Sequence, residues 1–395
     1  MANTELAEVA TGNSRFANKF YSIIAEEEKG KNVFFSPISA HTVLSLAYQG
    51  AAGSTAESFT STLNVGSQQI AATGYSGIMK ALNSVEDVIL HIANKVYVMQ
   101  GYPLKENFIK AATQSFFSEA EQVNFSNNIE SAKNINDWVE KKTESKIKDL
   151  IAPDCLNGLT RLVLVNAVYF KGNWAHKFNK EATRKEKFYI TKSETVECDM
   201  MHTTKRFNYR EDSELDAKIL EMKYTNPNVS MVIILPNEVD GIEDLEKKLV
   251  KVDLSTITNG MRNVEVQVSL PKFKIETEMD LESVLRKMGL GIIFDPNQAD
   301  FSEIAQSNEQ LYVSKAIQKA FIEVNEEGAE AAAATGLLII KKRCLRRIEK
   351  NYFICDRPII LLMKYEHEST TSLLFFGKLM KPKMLVQNSL LLTVK

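Results

Sequence analysis

Strand-like runs recur along almost the whole of this 395-residue chain, at residues 90–99, 161–170, 217–222, 230–235 and 264–270, and no linker rich in proline, glycine or serine separates them. Val264-Glu265-Val266-Gln267-Val268 alternates strictly, as a half-exposed antiparallel strand does. Shorter pieces of the same character stand at Val33-Phe34-Phe35, at 353–354 and at 372–376. Helical spacing is interspersed with them. Phe16, Phe20, Ile23 and Ile24 mark an amphipathic helix over 13–28, and further helical patterns cover 74–85, 131–146 and 281–288. Ser36 followed by Pro37 supplies an N-cap and a first helical residue for a helix reaching Tyr48. Length alone would suggest two or three domains of about 150 residues each. The missing linker and the absence of an internal repeat instead predict a single α+β domain over 1–395, with mainly antiparallel sheets.

Hydrophobic residues make up 44% of the chain and charged residues 25%, which is enough to bury a sizeable core and unlike a disordered chain. Lys and Arg total 48 against 50 Asp and Glu, so the net charge of -2 creates no bulk field for nucleic acid or an anionic membrane. The longest mostly apolar stretch, 162–170, is interrupted by Asn166 and falls short of the roughly 20 residues that span a bilayer. The first residues, with Asn3, Glu5 and Glu8, lack the basic start and apolar run of a secretory signal. The chain is therefore expected outside the cell with its signal already removed, a cytoplasmic location being the alternative. Cys155, Cys198, Cys344 and Cys355 are too few for a disulfide framework in a chain of this size.

Motifs for catalysis are missing. There is no Gly-x-Gly-x-x-Gly, no phosphate-binding glycine loop, no His-Glu-x-x-His, no Cys-x-x-Cys and no Gly-x-Ser-x-Gly. His41, His91, His176, His202 and His367 are scattered without metal-ligand spacing. The expectation is a protein that is not an enzyme and needs neither metal nor cofactor.

One segment conflicts with its surroundings. Residues 326–336 read Glu-Glu-Gly-Ala-Glu-Ala-Ala-Ala-Ala-Thr-Gly, a composition that propensity alone turns into helix. They follow the β-like run Ala320-Phe321-Ile322-Glu323-Val324 and lead through Leu337-Leu338-Ile339-Ile340 into Lys341-Lys342-Arg343-Cys344-Leu345-Arg346-Arg347. Conflicts of this kind mark functional sites. Read blandly, the basic cluster is a solvated loop or a nucleic-acid patch, but no aromatic residue interleaves with it. Read sharply, it is bait for a trypsin-like or convertase-type protease, whose specificity pocket accepts a single Lys or Arg against a buried carboxylate.

The run Lys319-Ala320-Phe321-Ile322-Glu323-Val324-Asn325-Glu326-Glu327-Gly328-Ala329-Glu330-Ala331-Ala332-Ala333-Ala334-Thr335 resembles the reactive-loop hinge of serpins. Further serpin-like signatures follow the expected order: Asn32-Val33-Phe34-Phe35-Ser36-Pro37-Ile38-Ser39, then Asn166-Ala167-Val168-Tyr169-Phe170-Lys171-Gly172-Asn173-Trp174, then Leu270-Pro271-Lys272-Phe273-Lys274-Ile275. Ala299-Asp300-Phe301-Ser302 and Asp356-Arg357-Pro358 belong to the same set, the resemblance covers about residues 16–382, and the hinge is insect-like in style. The resemblance implies a serpin fold of three β-sheets with about nine helices and an exposed reactive-centre loop, here residues 326–350. It also implies suicide inhibition of a serine protease. The protease attacks the loop as substrate, and the cleaved loop enters the main sheet as a new strand before the acyl-enzyme can hydrolyse, a case of strand addition that releases stored strain.

An inserting strand has period two. With Glu330 outside, Ala329, Ala331, Ala333 and Thr335 face in, followed by Leu337 and Ile339, and no charge is buried before the basic cluster. Gly328 gives the hinge access to positive φ. The resemblance places the hinge at Glu327, Gly328, Ala329, Glu330, Ala331, Ala332, Ala333, Ala334 and Thr335, and it matches Trp174 to the tryptophan where the loop first enters the sheet. Ser36, Ser39 and Asn166 match a hydrogen-bonded cluster beneath the opening strands, where many family members carry a histidine and this chain has Gln318. Family spacing from the hinge glycine points to cleavage after Lys342, before Arg343. Arg343 or Arg346 is the alternative, because the loop is longer than usual and Arg343-Cys344-Leu345-Arg346 has the Arg-x-x-Arg spacing that convertases prefer. The cations around Cys344 favour its thiolate. The expected partner is a trypsin-like protease bound as a covalent acyl complex to a monomer. A glycosaminoglycan lacks an obvious basic helix, since 74–85 offers only Lys80. Residues 383–395 extend past the family's usual end. A non-inhibitory binding or chaperone protein on the same fold is the runner-up.

Overall fold

A computed structural model of the chain describes residues 2–307, 309–329, 351–368 and 370–382. Its first helix, α1 (Ala2–Glu27), begins well before the expected residue 13. Leu6, Val9, Phe16, Phe20 and Ile24 all lie in the core. Asn13 and Ser14 interrupt that stripe in the sequence but are themselves buried, Asn13 Oδ1 accepting from the Leu373 amide at 3.0 Å. β1 (Val33–Phe35) leads into α2 (Pro37–Gln49), whose N-cap is Ser36 as its sequence requires. α3 (Gly53–Leu63), α4 (Gln68–Asn83), β2 (Val88–Met99), α5 (Glu106–Lys110) and β3 (Glu119–Val123) follow. α6 (Asn128–Lys142) stops short of the expected residue 146 because Glu144 and Ser145 adopt positive φ, which no helix continues through.

The strand-rich remainder comprises β4 (Leu162–Asn173), β5 (Arg184–Tyr189), β6 (Thr195–Asp212), β7 (Ala217–Lys223) and β8 (Val229–Pro236), then α7 (Ile242–Leu249). β9 (Arg262–Pro271), β10 (Phe273–Asp280), α8 (Glu282–Leu285), β11 (Val313–Val324) and the two-residue β12 (Gly328–Ala329) come next. β13 (Asn351–Ile354), β14 (Ile359–His367) and β15 (Thr370–Leu379) complete the described chain. The helical pattern over 281–288 is cut short at α8, which passes into a π turn where Gly289 takes φ +102.

The α+β architecture is as expected, with eight α-helices among the described residues. Among the described residues the strands join into two hydrogen-bonded sheets where the resemblance implies three. The larger runs β1-β15-β14-β8-β7-β6-β9-β13 with β5 alongside β6, and the smaller runs β10-β11-β12-β4-β2-β3. The eighteen residues of β6 account for this, since they pair with β5, then β9, then β7, and so join two groups of strands into one ladder.

Within the smaller sheet, β4 is buried on both faces. Leu162, Leu164, Val168 and Phe170 of β4 face the main core. Val163, Val165, Ala167 and Tyr169 face a second cluster that holds Ile135 and Val139 of α6. That two-sided burial is why β4 reads as a continuous apolar run, whereas in β9 Val266 and Val268 are buried and Glu265 and Gln267 exposed. No described helix is long and apolar enough to cross a membrane.

Candidate functional site

β4 and β11 are parallel neighbours in the smaller sheet, paired from Leu162 and Val313 up to Tyr169 and Phe321. Above that point they part, and β12 fits between them, antiparallel to both. Ala329 lies opposite Val324 on β11 and Gly172 on β4, and Gly328 lies opposite Asn173. The chain reverses into β12 through an Asx turn, Asn325 Oδ1 accepting from the amides of Glu327 at 3.0 Å and Gly328 at 3.3 Å. Gly328 has φ +146, and a Cβ there would stand 2.1 Å from the Gly172 carbonyl oxygen. Glycine is therefore required twice over, by backbone conformation and by space. Ala329 is fully buried, so any larger side chain would have to displace core atoms.

Trp174 closes this upper end of the seam. Its indole Nε1 donates to the Asn325 carbonyl at 3.1 Å, its backbone amide donates to Glu327 at 2.8 Å, and its ring stacks on Tyr224 with centroids 4.5 Å apart. The Glu326 and Glu327 carboxylates are tied down beside it. Glu327 meets Lys177 at 2.5 Å and Lys180 at 3.1 Å, while Glu326 meets Lys272 at 3.1 Å and accepts from Thr183 Oγ1 at 2.8 Å. The hydrogen bond from Lys177, with help from Lys180, holds the Glu327 carboxyl below the usual carboxylate range against the opposing pull of burial.

The middle of the same seam is built differently. Asn94 on β2, Asn166 on β4 and Gln318 on β11 occupy one row across three strands, Asn166 being paired with both of the others. Gln318 Nε2 donates to Asn166 Oδ1 at 2.5 Å and to the Ser36 carbonyl at 3.0 Å, and its Oε1 accepts from the Ser36 amide at 2.9 Å. Asn166 Nδ2 donates to Ser39 Oγ and to Asn94 Oδ1, Ser39 Oγ donates to Asn94 Oδ1 at 3.1 Å, and Ser36 Oγ donates to the Leu374 carbonyl at 2.6 Å. All five residues are buried. The row bridges the two strands that must separate if another strand is to enter, and it anchors both to the first turn of α2.

Two groups thus form from the residues singled out in the sequence: Trp174 with Glu327, Gly328 and Ala329, and Ser36, Ser39 and Asn166 with Gln318. Glu330, Ala331, Ala332, Ala333, Ala334, Thr335, Lys342, Arg343, Cys344 and Arg346 lie outside the described residues, as does the tail 383–395. Sequence reasoning missed Asn94, although an amide inside the apolar run 90–99 is the same signal that drew notice to Asn166. It also missed Asn325, Lys177, Lys180 and Lys272, which carry no local mark. Among the described residues no group of three or more His, Cys, Asp or Glu is placed to hold a metal ion.

A family profile described as Serpin (serine protease inhibitor) matches residues 11–382. Antitrypsin of Bombyx mori is 38% identical over 342 residues, covering 86% of this chain and 87% of that protein. Antichymotrypsin-2 of Bombyx mori is also 38% identical, over 341 residues, covering 86% of this chain and 90% of that protein. The crystal structure of Serpin48, a serpin of the insect Tenebrio molitor, superposes with a TM-score of 0.86 at 35% identity, covering 95% of this chain and 98% of that one. With a family profile matched over residues 11–382 and relatives 38% identical over more than four-fifths of its length, this chain belongs to the serpin family.

Proposed function

We propose that the chain is a suicide-substrate inhibitor of trypsin-like serine proteases, with the scissile bond between Lys342 and Arg343. The serine oxygen of the protease attacks the Lys342 carbonyl carbon. The peptide bond breaks, the amine of Arg343 leaves with a proton, and an ester joins Lys342 to the protease. Insertion of the freed strand ahead of ester hydrolysis then traps the enzyme.

One observation carries this reading: the seam between β4 and β11 is already entered by Gly328 and Ala329, in a register that the rest of the hinge can continue. Each further pair of residues would bring a small, uncharged side chain to the inner face, Ala331, Ala333 and then Thr335, while Glu330 stays on the other face. Counted from Val324 on one side and Gly172 on the other, both ladders bring Thr335 level with Gln318 and Asn166, which are partners of one another. A hydroxyl entering that row can both donate and accept, so the polar cluster keeps its hydrogen bonding as the strands separate. Trypsin-like specificity rests on the Lys and Arg residues of the loop. The two Bombyx mori relatives carry names for different proteases at the same identity, which argues that specificity follows the loop sequence rather than overall similarity.

Incubation with trypsin followed by a denaturing gel tests the reading. The expected result is an SDS-resistant adduct and a released peptide that begins at Arg343. A peptide beginning at Cys344 or Arg347 moves the bond to Arg343 or Arg346, and cleavage with no adduct overturns inhibition. Ala331→Arg buries a charge at an inward position, and it is expected to turn the inhibitor into a substrate that is cut and released.

A further inference from the structure

Two Asn-x-Ser/Thr triplets occur in the chain, Asn124-Phe125-Ser126 and Asn228-Val229-Ser230, the pattern of N-glycan acceptors on surface loops of secreted proteins. Folding treats them differently. Val229 and Ser230 are buried in β8, and Ser230 Oγ donates to Glu221 Oε1 at 2.8 Å, so this hydroxyl is closed off once the sheet has formed. Asn124 to Asn127 instead make the turn between β3 and α6, the Asn127 amide donating to the Asn124 carbonyl at 3.0 Å. Asn124 and Ser126 are exposed on that turn, while Phe125 between them is fully buried in the second core cluster and pins it in place. Asn124 Oδ1 accepts from the Ser126 amide at 3.1 Å, an Asx turn. That bond leaves Nδ2, the atom to which a glycan is joined, without a protein partner among the described residues.

The surroundings suit a sugar. A cavity of about 310 Å³ opens beside Asn124, with Gln100, Gln122, Glu130 and Asn134 on its walls. That volume is at the lower end of the roughly 300–1,000 Å³ of small-molecule sites, and amide and carboxylate groups are the natural partners of sugar hydroxyls. The two most exposed large apolar side chains among the described residues, each 71% exposed, stand at this end of the molecule. Ile129 lies just past the turn, and Leu159 follows Gly158, on which a Cβ would lie 3.1 Å from Ser126 Oγ. A glycan is bulky and solubilising, and it suits a surface that carries such side chains. β3 is the outer strand of the smaller sheet, with β2 between it and β4, so a glycan here stands clear of the seam.

We propose that Asn124 is an N-glycan acceptor of the secreted chain. In the transfer, Asn124 Nδ2 bonds to the anomeric carbon of an oligosaccharide carried on a polyprenyl pyrophosphate. The bond from that carbon to the pyrophosphate oxygen breaks, the lipid pyrophosphate leaves with the electron pair, and Nδ2 gives up a proton. The inference rests on the expectation that the chain is exported, so the test supplies that step. The full chain is produced behind a secretory leader in insect cells, collected from the medium, treated with peptide N-glycosidase in heavy-oxygen water and read by peptide mass spectrometry. The expected result is the heavy-oxygen mark at position 124 in the majority of molecules, lost with Asn124→Gln and Ser126→Ala and kept with Ser126→Thr. A secreted chain with Asn124 bare overturns the proposal. So does a mark at Asn228 alone, and so does a mark at position 124 that survives Ser126→Ala. Because the leader forces passage through the glycosylating compartment, a bare Asn124 counts against the site, whereas a failure of natural export shows separately, as retention of the leaderless chain inside its own cells. The unsubstituted chain decides the outcome even where a variant fails to reach the medium.

Discussion

The seam between β4 and β11 is held at two heights by two kinds of chemistry. At the top, Glu326 and Glu327 are clamped by Lys177, Lys180 and Lys272, and the Lys177 and Lys180 side chains are 39% and 56% exposed. In the middle, neutral amides and hydroxyls bond to one another with almost no access to water. The lysine ends of these pairs reach solvent, where salt screens them and water competes, although the Glu326 and Glu327 carboxylates are themselves only 7% and 8% exposed. A buried amide row has no such exchange partner, and each bond broken there leaves a group unsatisfied unless another polar group arrives. The difference fits an entrance that opens readily and a middle that yields only to a strand able to replace its hydrogen bonds.

Three substitutions probe this contrast. The largest effect is expected from Gly328→Val, since the new Cβ would meet the Gly172 carbonyl at 2.1 Å and the backbone sits at φ +146. If the clash costs insertion the roughly 1–3 kcal/mol typical of overpacking, the stoichiometry of inhibition against trypsin rises about fivefold or more. An unchanged stoichiometry would break the assignment of Gly328 as the point of entry.

Gln318→Ala comes next. It strands the Ser36 amide and carbonyl and unties β11 from Asn166, at a cost of about 1–3 kcal/mol visible as a lower urea midpoint. Because the row contains no titrating group, the loss should be the same at pH 5 and pH 8. A pH-dependent loss would sharpen the contrast by exposing a charge in the middle after all.

The smallest effect belongs to Glu327. Its carboxyl is held below the usual range by Lys177, so this contribution is present above the unfolded value of about 4.3 and is lost as pH falls through the lower folded value. Acidification from pH 5 to pH 3 should lower the hydrogen-exchange protection factors, which are corrected for the intrinsic pH dependence of exchange, at residues 325–329 in the native chain. Glu327→Gln should flatten that response, and added salt should shrink a term of at most about 1 kcal/mol.

Much of this arrangement could be read before the fold was known, and the exceptions have physical causes. The run 161–170 was recognisable because a strand buried on both faces needs apolar residues at every position, which also made Asn166 conspicuous. Ser36 and Pro37 announced their helix because capping is a local interaction. The start of α1 was not recognisable, because Asn13 is a polar residue whose partner, the Leu373 amide, comes 360 residues later. Lys177, Lys180 and Lys272 looked like any surface lysine, since an ion pair between distant segments leaves no local trace.

The sequence by itself determined the α+β class and the family, because apolar spacing, caps and short motifs act through neighbours in the chain. Only the tertiary structure decided that Asn94, Asn166 and Gln318 share one row and that Ala329 lies higher in the same seam, between Val324 and Gly172. Register in that row is set by the pairing of segments 72 and 152 residues apart. A slip of one residue there would turn every side chain to the opposite face.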